Sequence, residues 1–99
     1  MLEIRTGDNA EILLSGRLDA SQTAKAQKYL DTLSGTCVVD LRELEYISSA
    51  GLGVLLKTQK RLSGAGGELQ LVNLNRHIQD VFRYSGFDQI FKILPGTEG

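Results

Sequence analysis

Two hydroxyls stand side by side at Ser48 and Ser49. Glycines follow at Gly51 and Gly53, and then the apolar and basic run from Val54 to Leu62. A serine just ahead of a helix accepts a hydrogen bond from an unpaired N–H of the first turn, an interaction worth about 1 kcal/mol. The same place suits a phosphate, because the free N–H groups and the helix dipole both favour an anion. A phosphoserine brings about −1.5 to −2 charges at neutral pH. Gly51 and Gly53 each lower helix propensity by roughly 1 kcal/mol relative to alanine. They point either to close packing of the helix start or to an exposed surface that another molecule approaches closely. The sequence leaves cap or modification site, and packing or docking, open.

Other reactive groups do not converge. His77 is the only histidine and reads as a surface side chain between Arg76 and Ile78. Cys37 is the only cysteine and lies in an apolar run, as a small buried hydrophobe would. One chain with one cysteine forms no internal disulfide, which leans towards a reducing compartment. One histidine and one cysteine build no common zinc site. A nucleophile elbow needs glycine two residues before its serine, where Ile47 stands before Ser49. A phosphate-binding loop needs glycine before its lysine, where Leu56 precedes Lys57. Asp40 and Glu43 read as a strand end and a solvated turn, not as a general acid and base. No catalysis, metal or cofactor is expected.

The elements around the serines must position them. The 99 residues, 41% hydrophobic and 23% charged, suffice for one compact domain spanning 1–99. A net charge of −1 gives no reason to expect nucleic acid or an anionic membrane as partner. The N-terminus lacks a signal pattern, and no apolar run approaches bilayer length. A soluble cytoplasmic domain is expected.

Leu2 to Thr6 alternates, Gly7-Asp8-Asn9 supplies a turn, and Ile12-Leu13-Leu14 returns, which predicts a β-hairpin. From Ser21 the period becomes helical, with Thr23, Ala26, Leu30 and Leu33 on one face, Asp19 or Ser21 as cap and Gly35 past the end. Thr36 to Leu41 reads as a central strand covered on both faces. A second helix is predicted from about Ser49 to Leu62, its core face Leu52, Leu55, Leu56, Gln59 and Leu62, with Lys57, Lys60 and Arg61 pointing elsewhere. Glu68 to Leu74 predicts a strand. Ile78, Val81 and Phe82 define a third helix stopped by Gly86, Ile90 to Leu94 a closing strand, and residues 95–99 a frayed tail. The order β-β-α-β-α-β-α-β implies an α/β domain with a mostly parallel sheet opened by an antiparallel hairpin.

Three segments in order, "GRLDASQ", "VVDLRELEYISSAGLGVLL" and "VFRYSGFDQIFKI", resemble the small bacterial STAS domains, the anti-sigma-factor antagonists. The resemblance covers nearly the whole chain. It implies a mixed sheet of four to five strands with about three helices, and a protein that is not an enzyme. Such a protein binds an anti-sigma factor, which is a serine kinase, and so frees a sigma factor. The kinase phosphorylates the antagonist and breaks the complex; a phosphatase acting on the phosphorylated form restores it. The family's acceptor stands two residues before the first glycine of the Gly-Leu-Gly segment, which is Ser49 here. The preceding residue is often aspartate; here it is Ser48, which offers a second hydroxyl as an alternative acceptor. Asp19 and Asp40 match acidic positions that often line the partner surface, beside Ser48, Ser49, Gly51 and Gly53. Their other readings are a helix cap and a strand-end carboxylate. The resemblance also admits a second role, as a non-phosphorylated interaction subunit of a transport or signalling complex.

Overall fold

The computed structural model describes residues 1–94, and the tail expected at 95–99 lies outside them. Strand β1 (Leu2–Thr6) runs antiparallel to β2 (Ile12–Leu18), and β2, β3 (Thr36–Ile47), β4 (Glu68–Val72) and β5 (Lys92–Leu94) are parallel. The five strands lie in sequence order across one sheet. Helices α1 (Thr23–Leu30), α2 (Ser49–Gly64) and α3 (Arg76–Ser85) form the crossovers. Antiparallel strands need only a tight turn between them, whereas each parallel pair needs a long crossover. The single hairpin is therefore where Gly7-Asp8-Asn9 supplies its turn: the Gly7 N–H donates to the Glu11 carbonyl at 2.8 Å.

Two strands are longer than their residues predict. The apolar pattern of β2 stops at Leu14 and that of β3 at Leu41, yet the strands continue to Leu18 and Ile47. Ser15 pairs with Glu43, Gly16 with Leu44, Arg17 with Tyr46 and Leu18 with Ile47. Register shifts between Leu13 and Ser15 and between Gly16 and Arg17 interrupt the alternation, which hides the strand from a period-two reading. The backbone ladder forms regardless of the charged side chains. β4 ends two residues earlier and β5 starts two residues later than expected.

The sheet is not covered equally on both faces. Ile12, Leu14, Val39, Leu41, Leu69 and Leu71 are buried, while their neighbours Leu13, Ser15, Val38, Asp40, Gln70 and Val72 are only half-buried. Burial alternates because successive side chains point to opposite faces and only one face belongs to the core. Cys37 is likewise half-buried, its thiol donating to the Ser34 carbonyl at 3.3 Å.

The helices supply the other side of that core. Ala26 and Leu30 of α1 are buried, with Thr23 and Leu33 half-buried. In α2 the buried set is Gly51, Leu52, Val54, Leu55, Thr58 and Leu62. Leu56 and Gln59, expected inside, are half-buried, and Gln59 instead accepts the Leu69 N–H at 2.7 Å, tying α2 to β4. Thr58 is tolerated because its hydroxyl donates to the Val54 carbonyl at 3.0 Å. In α3, Ile78 and Phe82 are buried, Val81 is half-buried, and Gly86 ends the helix with a left-handed φ of 79°.

Beyond Leu41, β3 has no partner strand on the β4 side among the described residues. Asn75 fills part of that gap: its Nδ2 donates to the Leu44 carbonyl at 2.8 Å while its Oδ1 accepts the Ile78 N–H at 3.0 Å as the cap of α3. Serine caps as well as asparagine but is too short to keep the Leu44 bond. Asn75→Ser should therefore cost about 1 kcal/mol and Asn75→Ala about 2 kcal/mol, read from urea unfolding midpoints.

Candidate functional site

Parallel strands β2 and β3 finish together, Leu18 opposite Ile47. The chain then turns into α2, and the Leu18 carbonyl directs that turn by accepting the Ser48 N–H at 3.0 Å. Ser48 is extended, with φ −92° and ψ 174°, as a residue just outside a helix must be. Its Oγ accepts the Gly51 N–H at 3.1 Å, and its carbonyl accepts the Leu52 N–H at 2.9 Å, the first bond of the helix. Ser48 is the cap, half-buried with its hydroxyl engaged.

Ser49 is the first helical residue and has a different environment. Its side chain is exposed, and its hydroxyl has no hydrogen-bond partner among the described residues. The geometry thus separates two neighbours that the sequence could not: one oxygen is used by the fold and the other is free.

The two glycines separate in the same way. A Cβ on Gly51 would lie 2.5 Å from the Leu18 carbonyl oxygen and 2.8 Å from Leu18 Cγ. The helix start is pressed against the end of β2, so Gly51 is buried for close packing. Gly53 is exposed, and a Cβ there would meet nothing within 4 Å. No internal contact accounts for a glycine at that position.

Asp19 follows Leu18 directly and so stands beside the start of α2. It caps a one-turn 3-10 segment, Ala20–Gln22, that precedes α1. Its Oδ1 accepts the Ser21 hydroxyl at 2.6 Å and the Ser21 N–H at 3.0 Å. These bonds, the hydroxyl first, hold its carboxyl below the ordinary aspartate range, with a smaller contribution from Arg17 at 3.8 Å. Arg17 also lies over the Tyr46 ring, 4.3 Å from its centroid. Neither Arg17 nor Tyr46 was singled out by sequence reasoning. The available signal was the place of Arg17 two residues before Asp19.

Asp40 is elsewhere. It pairs with Leu13 and Val72 in mid-strand, eight residues before Ser48, a run of about 26 Å at the usual rise of an extended strand. It accepts the Arg42 N–H at 2.8 Å and the Asn73 side-chain amide at 2.9 Å. The structure therefore groups Asp19, Ser48, Ser49, Gly51 and Gly53 and leaves Asp40 out, in a role that orders the β4–α3 connection. A groove of about 1050 Å³ beside α3 and β5, lined by residues such as Asn75, Gln79, Phe91 and Ile93, includes none of the grouped residues. His77 is exposed on α3. No helix among the described residues is long and apolar enough to cross a membrane.

A five-stranded sheet with three crossover helices, the second of them capped by the first of two serines, defines a small α/β domain. Residues 2–95 match the family model described as "Mlab, STAS domain", and the chain belongs to the STAS-domain family. An anti-sigma-B factor antagonist of Listeria monocytogenes is 30% identical over 93 residues, covering 90% of this chain and 82% of that protein. BtrV of Bordetella bronchiseptica, named as a candidate anti-sigma factor antagonist, is 48% identical over 61 residues, which cover 62% of this chain and 53% of BtrV. The Bacillus cell fate determinant SpoIIAA in its phosphorylated form shares the fold, with a TM-score of 0.71 at 19% identity over 99% of this chain and 93% of that one.

Two measurements check the geometry of the site. Ser48→Ala should cost about 1 kcal/mol in urea unfolding by removing the cap, whereas Ser49→Ala should change stability by less than about 0.5 kcal/mol. An NMR titration of the Asp19 carboxyl should give a midpoint below the ordinary aspartate value, and Ser21→Ala should raise it. Because the folded midpoint is the lower one, the stability that Asp19 contributes is complete above the ordinary value. It is lost as pH falls through the folded midpoint.

Proposed function

We propose that this chain is an anti-sigma-factor antagonist that works by partner switching. In the unmodified state it docks the start of α2, with Asp19 beside it, onto an anti-sigma factor that is a serine kinase, and thereby frees a sigma factor. Phosphorylation of Ser49 ends that complex, and a serine phosphatase restores it. The observation that carries this reading is the free, exposed hydroxyl of Ser49 next to a neighbour whose hydroxyl is already spent on the fold. The names of the relatives support the antagonist role.

The geometry bears on which hydroxyl is the acceptor. Transfer to Ser48 would oblige the cap to release the Gly51 N–H in a half-buried place. Transfer to Ser49 disturbs no side-chain hydrogen bond among the described residues. The added dianion also lies at the positive end of α2, whose dipole tolerates it. The domain keeps its fold, and only its outer surface changes.

The magnitude is sufficient for a switch. Per unit charge, at about 5 Å from a partner carboxylate and an effective dielectric of about 20, the repulsion is roughly 3 kcal/mol. About 1.4 kcal/mol is one decade in affinity, so a near-dianion lowers affinity by orders of magnitude without refolding. Gly51 shapes this surface from beneath, and Gly53 keeps its outer side free of a protruding side chain.

Incubation with the cognate kinase and ATP, followed by intact-mass measurement and peptide mapping, tests the assignment. One phosphate on Ser49, absent in Ser49→Ala, is expected; phosphate that persists in Ser49→Ala overturns it. Ser49→Asp should keep the unfolding midpoint of the parent within about 0.5 kcal/mol and bind the anti-sigma factor more weakly. Undiminished binding would count against the electrostatic account. If no kinase modifies the chain, the reading as a non-phosphorylated interaction subunit takes its place.

A further inference from the structure

The outer face of α2 continues below Ser49, and its charge is one-sided. Helices α1 and α2 carry Lys25, Lys28, Lys57, Lys60 and Arg61 and no aspartate or glutamate, although the chain as a whole has 12 acidic and 11 basic residues. Two of these cations have internal tasks. The Lys25 ammonium donates to the Leu2 carbonyl, and the Arg61 guanidinium donates to the Leu30 carbonyl at 2.9 Å. Lys57 and Lys60 are exposed and have no hydrogen bond or ion pair among the described residues. α3 shows the ordinary alternative: Asp80 lies 3.9 Å from Arg76 and 2.7 Å from Arg83, so its cations are offset on their own helix.

Position adds to charge. Ser49, Gly53 and Lys57 are spaced by four residues, which places them along one side of the helix, and Lys60 follows three residues later. All four are exposed. At about 1.5 Å per residue, Lys57 lies about 12 Å below Ser49 and Lys60 about 16 Å. Between serine and lysines the helix surface is bare, because Gly53 has no side chain and open space around it.

We propose that Lys57 and Lys60 extend the docking surface that begins at Ser49 and receive an acidic face of the same protein partner. This rests on the reading of Ser49 as the partner-binding switch. Charge complementarity defines the occupant as acidic. Membrane attachment by a basic patch commonly uses clusters of about four to eight cations, more than this stripe presents, and the chain's net charge of −1 opposes a nucleic acid. Exposed charges of this kind act chiefly on the rate of encounter. A phosphate on Ser49 would stand about 12 Å from Lys57, close to the Debye length of about 10 Å at 0.1 M salt. Modification would therefore partly offset, on the same side of the helix and most at low salt, the field through which the lysines attract the partner.

The test is stopped-flow association with the purified anti-sigma factor across an ionic-strength series. Lys57→Glu combined with Lys60→Glu should lower the association rate constant about tenfold at low salt and flatten its salt dependence. The dissociation rate and thermal midpoint should hardly change, because neither lysine makes a hydrogen bond or ion pair among the described residues. Arg5→Glu, an exposed charge on β1, should leave the association rate within about twofold of the parent. An association rate and salt slope equal to the parent's in the double variant overturn the stripe while leaving the switch intact. Absence of any complex with the parent protein overturns the switch and the stripe together. Binding of the parent to phosphatidylserine vesicles that is lost in the double variant, with unchanged association to the anti-sigma factor, reassigns the stripe to a membrane and overturns the proposal.

Discussion

The Leu18 carbonyl holds the start of α2 in place. It accepts the Ser48 N–H, so the end of β3 and the first turn of α2 are referred to the end of β2. The approach is close enough that only glycine fits at position 51. With Gly51 against Leu18, its N–H reaches back to the Ser48 hydroxyl, and the cap closes. Asp19, one residue beyond Leu18, is carried to the same place by the backbone alone. A site that looks like a collection of polar side chains is thus organised around one main-chain hydrogen bond from the cap of α2 to the last residue of β2.

That arrangement produces an economy of hydroxyls. The helix needs one oxygen at its start, and Ser48 supplies it. A second serine directly after the cap is then exposed, with no hydrogen-bond partner among the described residues, on the first turn, where an anion is best tolerated. The family resemblance led to an expectation of aspartate ahead of the acceptor. Serine caps as well as aspartate, so the structural task is met while a charge is removed. A carboxylate is still brought beside the helix start by the end of β2: that of Asp19, its acid form disfavoured by the Ser21 hydrogen bonds and its side flanked by Arg17 on the Tyr46 ring.

Legibility in the sequence followed periodicity. All three helices and all five strands were readable because apolar residues recur at helical or strand spacing, and the stop at Gly86 because a left-handed residue was needed there. Strand lengths were not readable. "SGRL" and "RELEYI" do not look like strands by side chain, and they are extended because each offers the other a ladder of backbone partners across two register shifts. Burial on the second face of β3 was over-read. Val38 follows Cys37 and precedes Val39 in an unbroken apolar run, but the alternation of the pleat leaves Val38 half-buried. The family resemblance alone sets Asp40 beside the serines, and the added length of β3 places it eight residues before Ser48 along the strand.

The sequence by itself determined the kind of fold, the location of a serine pair at a helix start and the lack of acids on α1 and α2. These are local properties: side-chain period, capping chemistry and composition. Tertiary structure decided which serine is bonded and which is free, which glycine is buried and which is bare, and which aspartate joins the site. Those choices depend on how closely β2 approaches α2 and on where the strands end. A backbone hydrogen bond between Ser48 and Leu18, thirty residues apart, leaves no trace in either residue type.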